Sequence, residues 1–306
     1  VARYNDVPAG EAIAALGTTH ALWLAYAALT SPGDEVLTES PGYEPLTRIA
    51  EGVGARVVTF ERPAAAGYAV DPDRIARAMT PKTRVVAITN LHNPSGVRTD
   101  ASVLRAAARV AESGGAVLLV DEVYAPFDAL VAADGVFRES ARHLAPNVVA
   151  VGSLTKCYGL GLQRVGWVLG PADVVSRAED ATTASCGMLP LVHAHIGLHA
   201  FARVAALSDR ARGLLAGKRE RVGRWVEAQG LPWSAPAEGL FGLVTVPGAV
   251  DLTPAVERAA REREVLVAAG SFFGAPGGFR LAWSASDPVL DEGLGRLAEA
   301  LRVVRG

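Results

Sequence analysis

The stretch Val117-Leu118-Leu119-Val120-Asp121-Glu122-Val123-Tyr124 decides the fold. Four consecutive apolar residues with no polar alternation read as a strand buried on both faces, as in a parallel sheet covered by helices. The run ends in an acid, and open α/β sheets bind their ligands at the carboxyl ends of strands. Asp121 is therefore the first candidate site residue.

The same unit recurs on either side. Upstream, residues 85–89 form a second apolar strand, followed by Asn90-Leu91-His92-Asn93-Pro94-Ser95-Gly96. Pro94 and Gly96 force a turn that presents the Asn93 amide. Residues 57–60 read as another strand and 73–79 as a helix. A helix start at Thr99-Asp100 is followed by apolar Leu104, Ala107, Ala108 and Ala111 at helical spacing. Near the beginning, residues 12–16 lead into Gly17-Thr18-Thr19-His20-Ala21, and Leu22, Tyr26 and Leu29 continue as a helix. The free N–H groups at that helix start make an anion site.

Downstream, the apolar run 148–152 enters Ser153-Leu154-Thr155-Lys156, and Arg164 follows eight residues after the lysine. A lysine on a short turn at the end of a buried strand is partly desolvated, and a nearby cation lowers its pKa further. Both effects suit it to attack a carbonyl. Ser153 and Arg164 supply a hydroxyl and a guanidinium suited to a phosphate. The alternation of strands and helices continues to about Leu169, giving a mainly parallel sheet. Beyond an Arg- and Ala-rich helical stretch at 201–226 the pattern changes to strands at 240–246, 264–267 and 279–283, with helices at 254–263 and 288–304. The expected organisation is a large α/β domain, 1–204, and a smaller α+β domain, 205–306.

Taken in order, Gly17-Thr18-Thr19, Pro41-Gly42-Tyr43, Asn93-Pro94-Ser95-Gly96, Asp121-Glu122-Val123-Tyr124, Ser153 to Lys156 with Arg164, and Phe279-Arg280-Leu281 resemble the class I/II aminotransferase family of fold type I pyridoxal-phosphate enzymes. The resemblance covers essentially the whole chain. It implies an aspartate-aminotransferase-like fold, pyridoxal 5'-phosphate as cofactor, and transfer of an amino group between an amino acid and a 2-oxo acid. It also implies a homodimer whose cofactor site lies at the subunit interface.

The roles implied have chemical reasons of their own, because the protein must control the cofactor's ring nitrogen, phosphate and aldehyde. Asp121 would pair with the pyridinium nitrogen. Lys156 would hold the cofactor as a Schiff base and then shuttle the substrate proton. Asn93 and Tyr124 would bond the phenolate oxygen, and Tyr43 would stack on the ring. Gly17, Thr18 and Thr19, with Ser153 and Arg164, would fix the phosphate. Arg280 would clamp the substrate α-carboxylate in a bidentate pair, with Asn93 beside it.

At 306 residues and 50% hydrophobic content the chain can bury a large core. A net charge of −2 with interspersed signs argues against nucleic acid as a partner. Cys157 and Cys186 are too few for a disulfide framework and suit a reducing cytoplasm. His193, His195 and His199 do not share one helical face and have no acid nearby, so they read as packing or subunit contacts rather than metal ligands. His20 and His92 have either a site or a packing reading. Residues 181–202 lack charged side chains, but Pro190 and three histidines argue against a membrane span.

Only sixteen residues precede Gly17. The resemblance therefore implies an abbreviated start, without the arm and tyrosine that family members give to a neighbouring subunit, and Tyr4 does not stand in for that tyrosine. Dicarboxylate-specific relatives carry a second arginine downstream of the lysine, whereas 181–202 holds none; a neutral or apolar amino donor is expected. The same scaffold also supports C–S lyase or decarboxylase chemistry, or the effector domain of a transcription regulator.

Overall fold

The computed structural model describes residues 1–128 and 131–305. Seven strands form the main sheet: β1 (Ala12–Leu16), β2 (Glu35–Ser40), β3 (Arg56–Glu61), β4 (Thr83–Thr89), β5 (Val117–Asp121), β6 (Val148–Ser153) and β7 (Val165–Leu169). Their order is β1-β7-β6-β5-β4-β2-β3. The five strands β2 to β6 run parallel, while β7 is antiparallel to β6 and β1 to β7. This is the mainly parallel sheet expected, with an antiparallel pair at one edge.

Every residue of β6 and β7 is buried, and β5 is buried from Leu118 onward, as helices on both faces require. The helix α1 (Gly17–Leu29) lies on one face. It is apolar nearly all round, and Leu22, Leu24, Ala25 and Tyr26 are fully buried against Val149, Val151 and Val168. On the other face, helix Ala101–Ser113 buries Leu104, Ala107, Ala108 and Ala111 against the opposite sides of β4, β5 and β6.

A second sheet of three antiparallel strands is ordered β8 (Phe241–Thr245), β10 (Gly278–Ala282), β9 (Ala268–Ala269). Its core holds Trp283, Phe279, Leu281 and the inner face of helix Asp287–Arg305. Two helices, Val204–Leu215 and Lys218–Ala228, precede it and are parted at Gly217, which has φ +71°.

One expected strand is corrected. Residues 264–267 do not pair; only Ala268 and Ala269 do, opposite Arg280 and Phe279. Glu264 sits in the left-handed region as the cap of helix Thr253–Arg263, and Leu266 points to solvent, so apolar alternation there marks an approach to the sheet rather than a strand.

Candidate active site

The carboxyl ends of β4, β5 and β6 open on a cleft of about 200 Å³. Its lining includes Thr18, Thr19, Tyr43, Asn93, Asp121, Tyr124, Lys156 and Arg164. Eight of the sequence candidates, from positions 18 to 164, thus converge on one cavity. Gly17 and Ser153 support it from behind, and Arg280 reaches it from the second sheet.

The register explains why. Thr89, Asp121 and Val151 are neighbours at the ends of β4, β5 and β6, and Lys156 follows on the turn after β6. Since β1 is antiparallel to β7, Leu16 lies opposite Val165, which brings the start of α1 to the same edge as Arg164. Arg164 itself has φ +51°, a left-handed conformation uncommon for a side chain with a Cβ. Its Nη2 donates to the Leu16 carbonyl at 3.3 Å. Gly17 makes room for it: a Cβ there would lie 2.5 Å from Arg164 Nη2. Beside this, Thr18 Oγ1 donates to Ser153 Oγ at 2.8 Å, and Ser153 Oγ shares a 2.7 Å bond with Thr155 Oγ1. Helix N–H groups, three hydroxyls and a guanidinium together make a cradle for a dianionic group.

Asp121 is 2% exposed. Its Oδ1 accepts from the Val123 N–H at 3.1 Å, whereas its Oδ2 is buried without a partner. Burial, and to a lesser degree the Glu39 carboxylate, push its pKa up to about 7. An orphaned carboxylate oxygen in a cleft is costly unless a cationic donor meets it. The pKa of Lys156 is lowered, first by burial and then by Arg280 and Arg164, while Asp121 acts in the opposite sense. A lysine so placed is a stronger nucleophile at neutral pH than a solvated one.

Arg280 alternates with the buried Phe279 and Leu281 on β10, so their side chains enter the core while its own faces the cleft. Its Cζ lies 4.8 Å from the ring centroids of both Phe241 and Phe273, and its Nη1 donates to Asn93 Oδ1 at 2.7 Å. An arginine only donates, so the Asn93 oxygen faces Arg280 and its NH₂ is left for an acceptor. Phe241 also meets Tyr124 edge-on at 4.8 Å, joining the two sheets across the cleft.

The family of aminotransferases class I and II matches residues 3–297. The chain belongs to it. Capreomycidine synthase of Streptomyces vinaceus is 32% identical over 98% of this chain and 77% of its own length. The aspartate/prephenate aminotransferase of Thermus thermophilus is 29% identical over 95% of this chain and 75% of its own. A solved structure of Thermus thermophilus aspartate aminotransferase, a tetra mutant, has a TM-score of 0.88 at 28% identity, over 98% of this chain and 83% of that one. The expected fold and the aminotransferase reading are both borne out by these likenesses, and class I and II aminotransferases are pyridoxal-phosphate enzymes.

Within this aminotransferase, the sequence passed over several residues that the cleft brings in. Thr89, Val123, Thr155 and Gly161 also line it. Thr155 lies inside the Ser153-to-Lys156 motif, while Phe241 and Phe273 carry no local signal, the first opening an apolar strand and the second following Phe272 in a glycine-flanked turn. His92 proves to be a strut: it is fully buried, with Nε2 2.9 Å from the Pro41 carbonyl and Nδ1 2.6 Å from Ser95 Oγ. Its pKa is well below the ordinary value because of burial, so Nε2–H donates to Pro41 and Ser95 donates to Nδ1. His20 Nδ1 accepts from the Leu16 N–H at 3.1 Å, at the start of α1. His193, His195 and His199 lie on helix Leu191–Phe201, and among the described residues no three His, Cys, Asp or Glu side chains gather as metal ligands. Tyr4 is buried beside Tyr158, with 2.5 Å between hydroxyls, and is not part of the cleft. Among the described residues no helix is long and apolar enough to cross a membrane.

Proposed function

We propose that this chain binds pyridoxal 5'-phosphate in the Asp121–Lys156 cleft and transfers an amino group from a neutral or apolar amino acid to a 2-oxo acid. The observation that carries the reading is the buried, partnerless Oδ2 of Asp121, which fits a protonated ring nitrogen and little else. Lys156 would tether the cofactor through Nζ. Gly17, Thr18, Thr19, Ser153 and Arg164 would hold its phosphate, Tyr43 its ring face, and Asn93 Nδ2 and the Tyr124 hydroxyl its phenolate oxygen.

When bound, the cofactor supplies an electron sink for the charge released at the substrate Cα. The protein's own work is positioning and proton transfer. Arg280, held against the rings of Phe241 and Phe273, takes the substrate α-carboxylate on its unbonded N–H groups. Lys156 Nζ, its pKa lowered, removes the Cα proton and returns it.

The donor preference is supported by the cleft, where among the described residues the cations are Lys156, Arg164 and Arg280 and each has assigned work. A large domain of residues 1–204 and a small one of 205–306 would each contribute to the site. Two free cysteines support a reducing cytoplasm. A homodimer is supported by the exposed apolar side chains Met188, Leu191, Val192 and Leu198 at the helix Leu191–Phe201.

The test is the visible spectrum of the protein with added cofactor, before and after single amino acids. Loss of the lysine-linked band with release of the matching 2-oxo acid is the expected result. Lys156→Ala should form no such band; a variant that kept it would overturn the assignment of the tether.

A further inference from the structure

The carboxylate clamp does not end at Asn93. Behind it lies a chain of buried bonds leading to an ion pair with no access to the cleft. The Asn93 backbone N–H donates to Thr89 Oγ1 at 2.9 Å. Thr89 in turn donates both its N–H, at 2.9 Å, and its hydroxyl, at 2.5 Å, to Glu39 Oε1. The other oxygen of Glu39 accepts from Arg62 Nη1 at 2.5 Å, and both side chains are fully buried. Arg62 is itself fixed, with Nε donating to the Tyr68 carbonyl at 2.7 Å and Nη2 to Thr99 Oγ1 at 3.3 Å.

We propose that Thr89, backed by the Glu39–Arg62 pair, is a positioning residue for the substrate carboxylate, acting through Asn93 on Arg280. The inference rests on the function proposed above and adds residues to it. A buried ion pair is weak evidence for stability, since desolvating two charges offsets most of their attraction. This pair has a further use that its geometry supplies. Glu39 Oε1 accepts two bonds from one residue, which fixes the end of β4 in both position and hydroxyl direction. With its proton committed to Glu39, Thr89 Oγ1 presents only lone pairs to the Asn93 N–H. This anchors the Asn93 backbone, and with it the point from which the Asn93 side chain reaches Arg280. Buried polar networks of this kind are stiff when every member is satisfied.

Thr89→Val keeps the shape of the side chain and removes both hydroxyl bonds, whereas Thr89→Ser keeps them. Calorimetric titration of a branched-chain 2-oxo acid into the full chain with cofactor bound reads the clamp at equilibrium, because no amino donor is present to drive turnover. Thr89→Val is expected to bind it about 10-fold more weakly, the order of magnitude for one buried hydrogen bond left unmade. Thr89→Ser stays within about 2-fold of the wild type, since its bonds persist. In an Asn93→Ala background Thr89→Val has no further effect, because the side chain that joins the anchored backbone to Arg280 is gone; a purely structural role would give the same loss in both backgrounds. Unchanged binding by Thr89→Val, or additive losses in the double variant, overturns the proposal. If Thr89→Val does not fold, Thr89→Ala carries the same prediction with less crowding. Wild-type protein that forms the lysine-linked band yet binds no 2-oxo acid removes the Arg280 clamp and this linkage with it. Absence of the band itself counts against the cofactor reading.

Discussion

Arg280 and Asn93 are 187 residues apart in sequence, and the 2.7 Å bond from Nη1 to Oδ1 joins the small sheet to the turn after β4. The direction of this bond fixes the asparagine's two faces, oxygen toward the guanidinium and NH₂ away from it. In the proposed site, one amide would thereby serve the substrate clamp and the cofactor oxygen at once.

Asn93→Asp is the sharper substitution for that reason. A carboxylate would hold Arg280 in a direct ion pair, compete with the substrate's own carboxylate, and offer no N–H on its other side. It should raise the amino-donor KM by more than Asn93→Ala does, by roughly 10-fold or more, as expected for a charge-assisted bond that must be displaced. Steady-state kinetics on the two variants decide this, and an Asp variant that binds substrate better than the Ala variant would remove Arg280 from the clamp.

Gly17→Ala tests the phosphate cradle. Its φ of +76° already disfavours a Cβ, and the added methyl would lie 2.5 Å from Arg164 Nη2 and 2.7 Å from its Cζ. Arg164 must swing off the helix start, losing its bond to the Leu16 carbonyl. The expected result is a cofactor affinity at least about 10-fold weaker, from one charge-assisted contact misplaced, and a stability loss of about 1–2 kcal/mol from the strained backbone. Spectral titration with cofactor and a thermal melt of the cofactor-free chain separate the two effects.

Most of the cleft was legible because its side chains sit at the ends of apolar strands or on the turns directly after them, where Asp121, Asn93 and Lys156 have fixed offsets from runs that periodicity detects. What stayed hidden is long-range pairing. Strand β2 escaped notice because Glu35 and Glu39 interrupt its apolar run. Both are buried, and each is matched by an arginine from elsewhere in the sequence: Arg56 for Glu35 and Arg62 for Glu39. An acid reads as a surface residue until its partner is known. Thr89 looked like the last residue of a strand, since its acceptor Glu39 lies 50 positions earlier. The aromatic faces on Arg280 come from β8 and from the turn Gly270–Phe273, brought together by the small sheet alone. The unpaired 264–267 segment failed in the opposite sense, because apolar alternation appears wherever a chain skirts a core.

The pH dependence of stability isolates Asp121. Its carboxyl titrates at about 7 in the folded chain against an ordinary 3.8. Between these values the folded state holds a proton that the unfolded chain has released, so stability from this group is fully present below about pH 4 and is lost as pH rises toward 7. A shift of that size corresponds to at most about 4 kcal/mol, of which about 2–3 kcal/mol falls between pH 5 and pH 7.5. Asp121→Asn is neutral throughout and lacks this loss, so its stability relative to the wild type should rise by that amount over the same interval. Glu122, also pushed up to about 7 by burial, leaves a residual slope in both proteins. Denaturant unfolding of the cofactor-free chains at the two pH values gives the difference directly. Saturating cofactor should flatten the wild-type slope, because a cationic N–H meeting Oδ2 keeps the carboxylate ionised at either pH. Identical pH dependence in wild type and Asp121→Asn would mean that Asp121 is already ionised without the cofactor, and the orphaned oxygen would no longer point to a ring nitrogen.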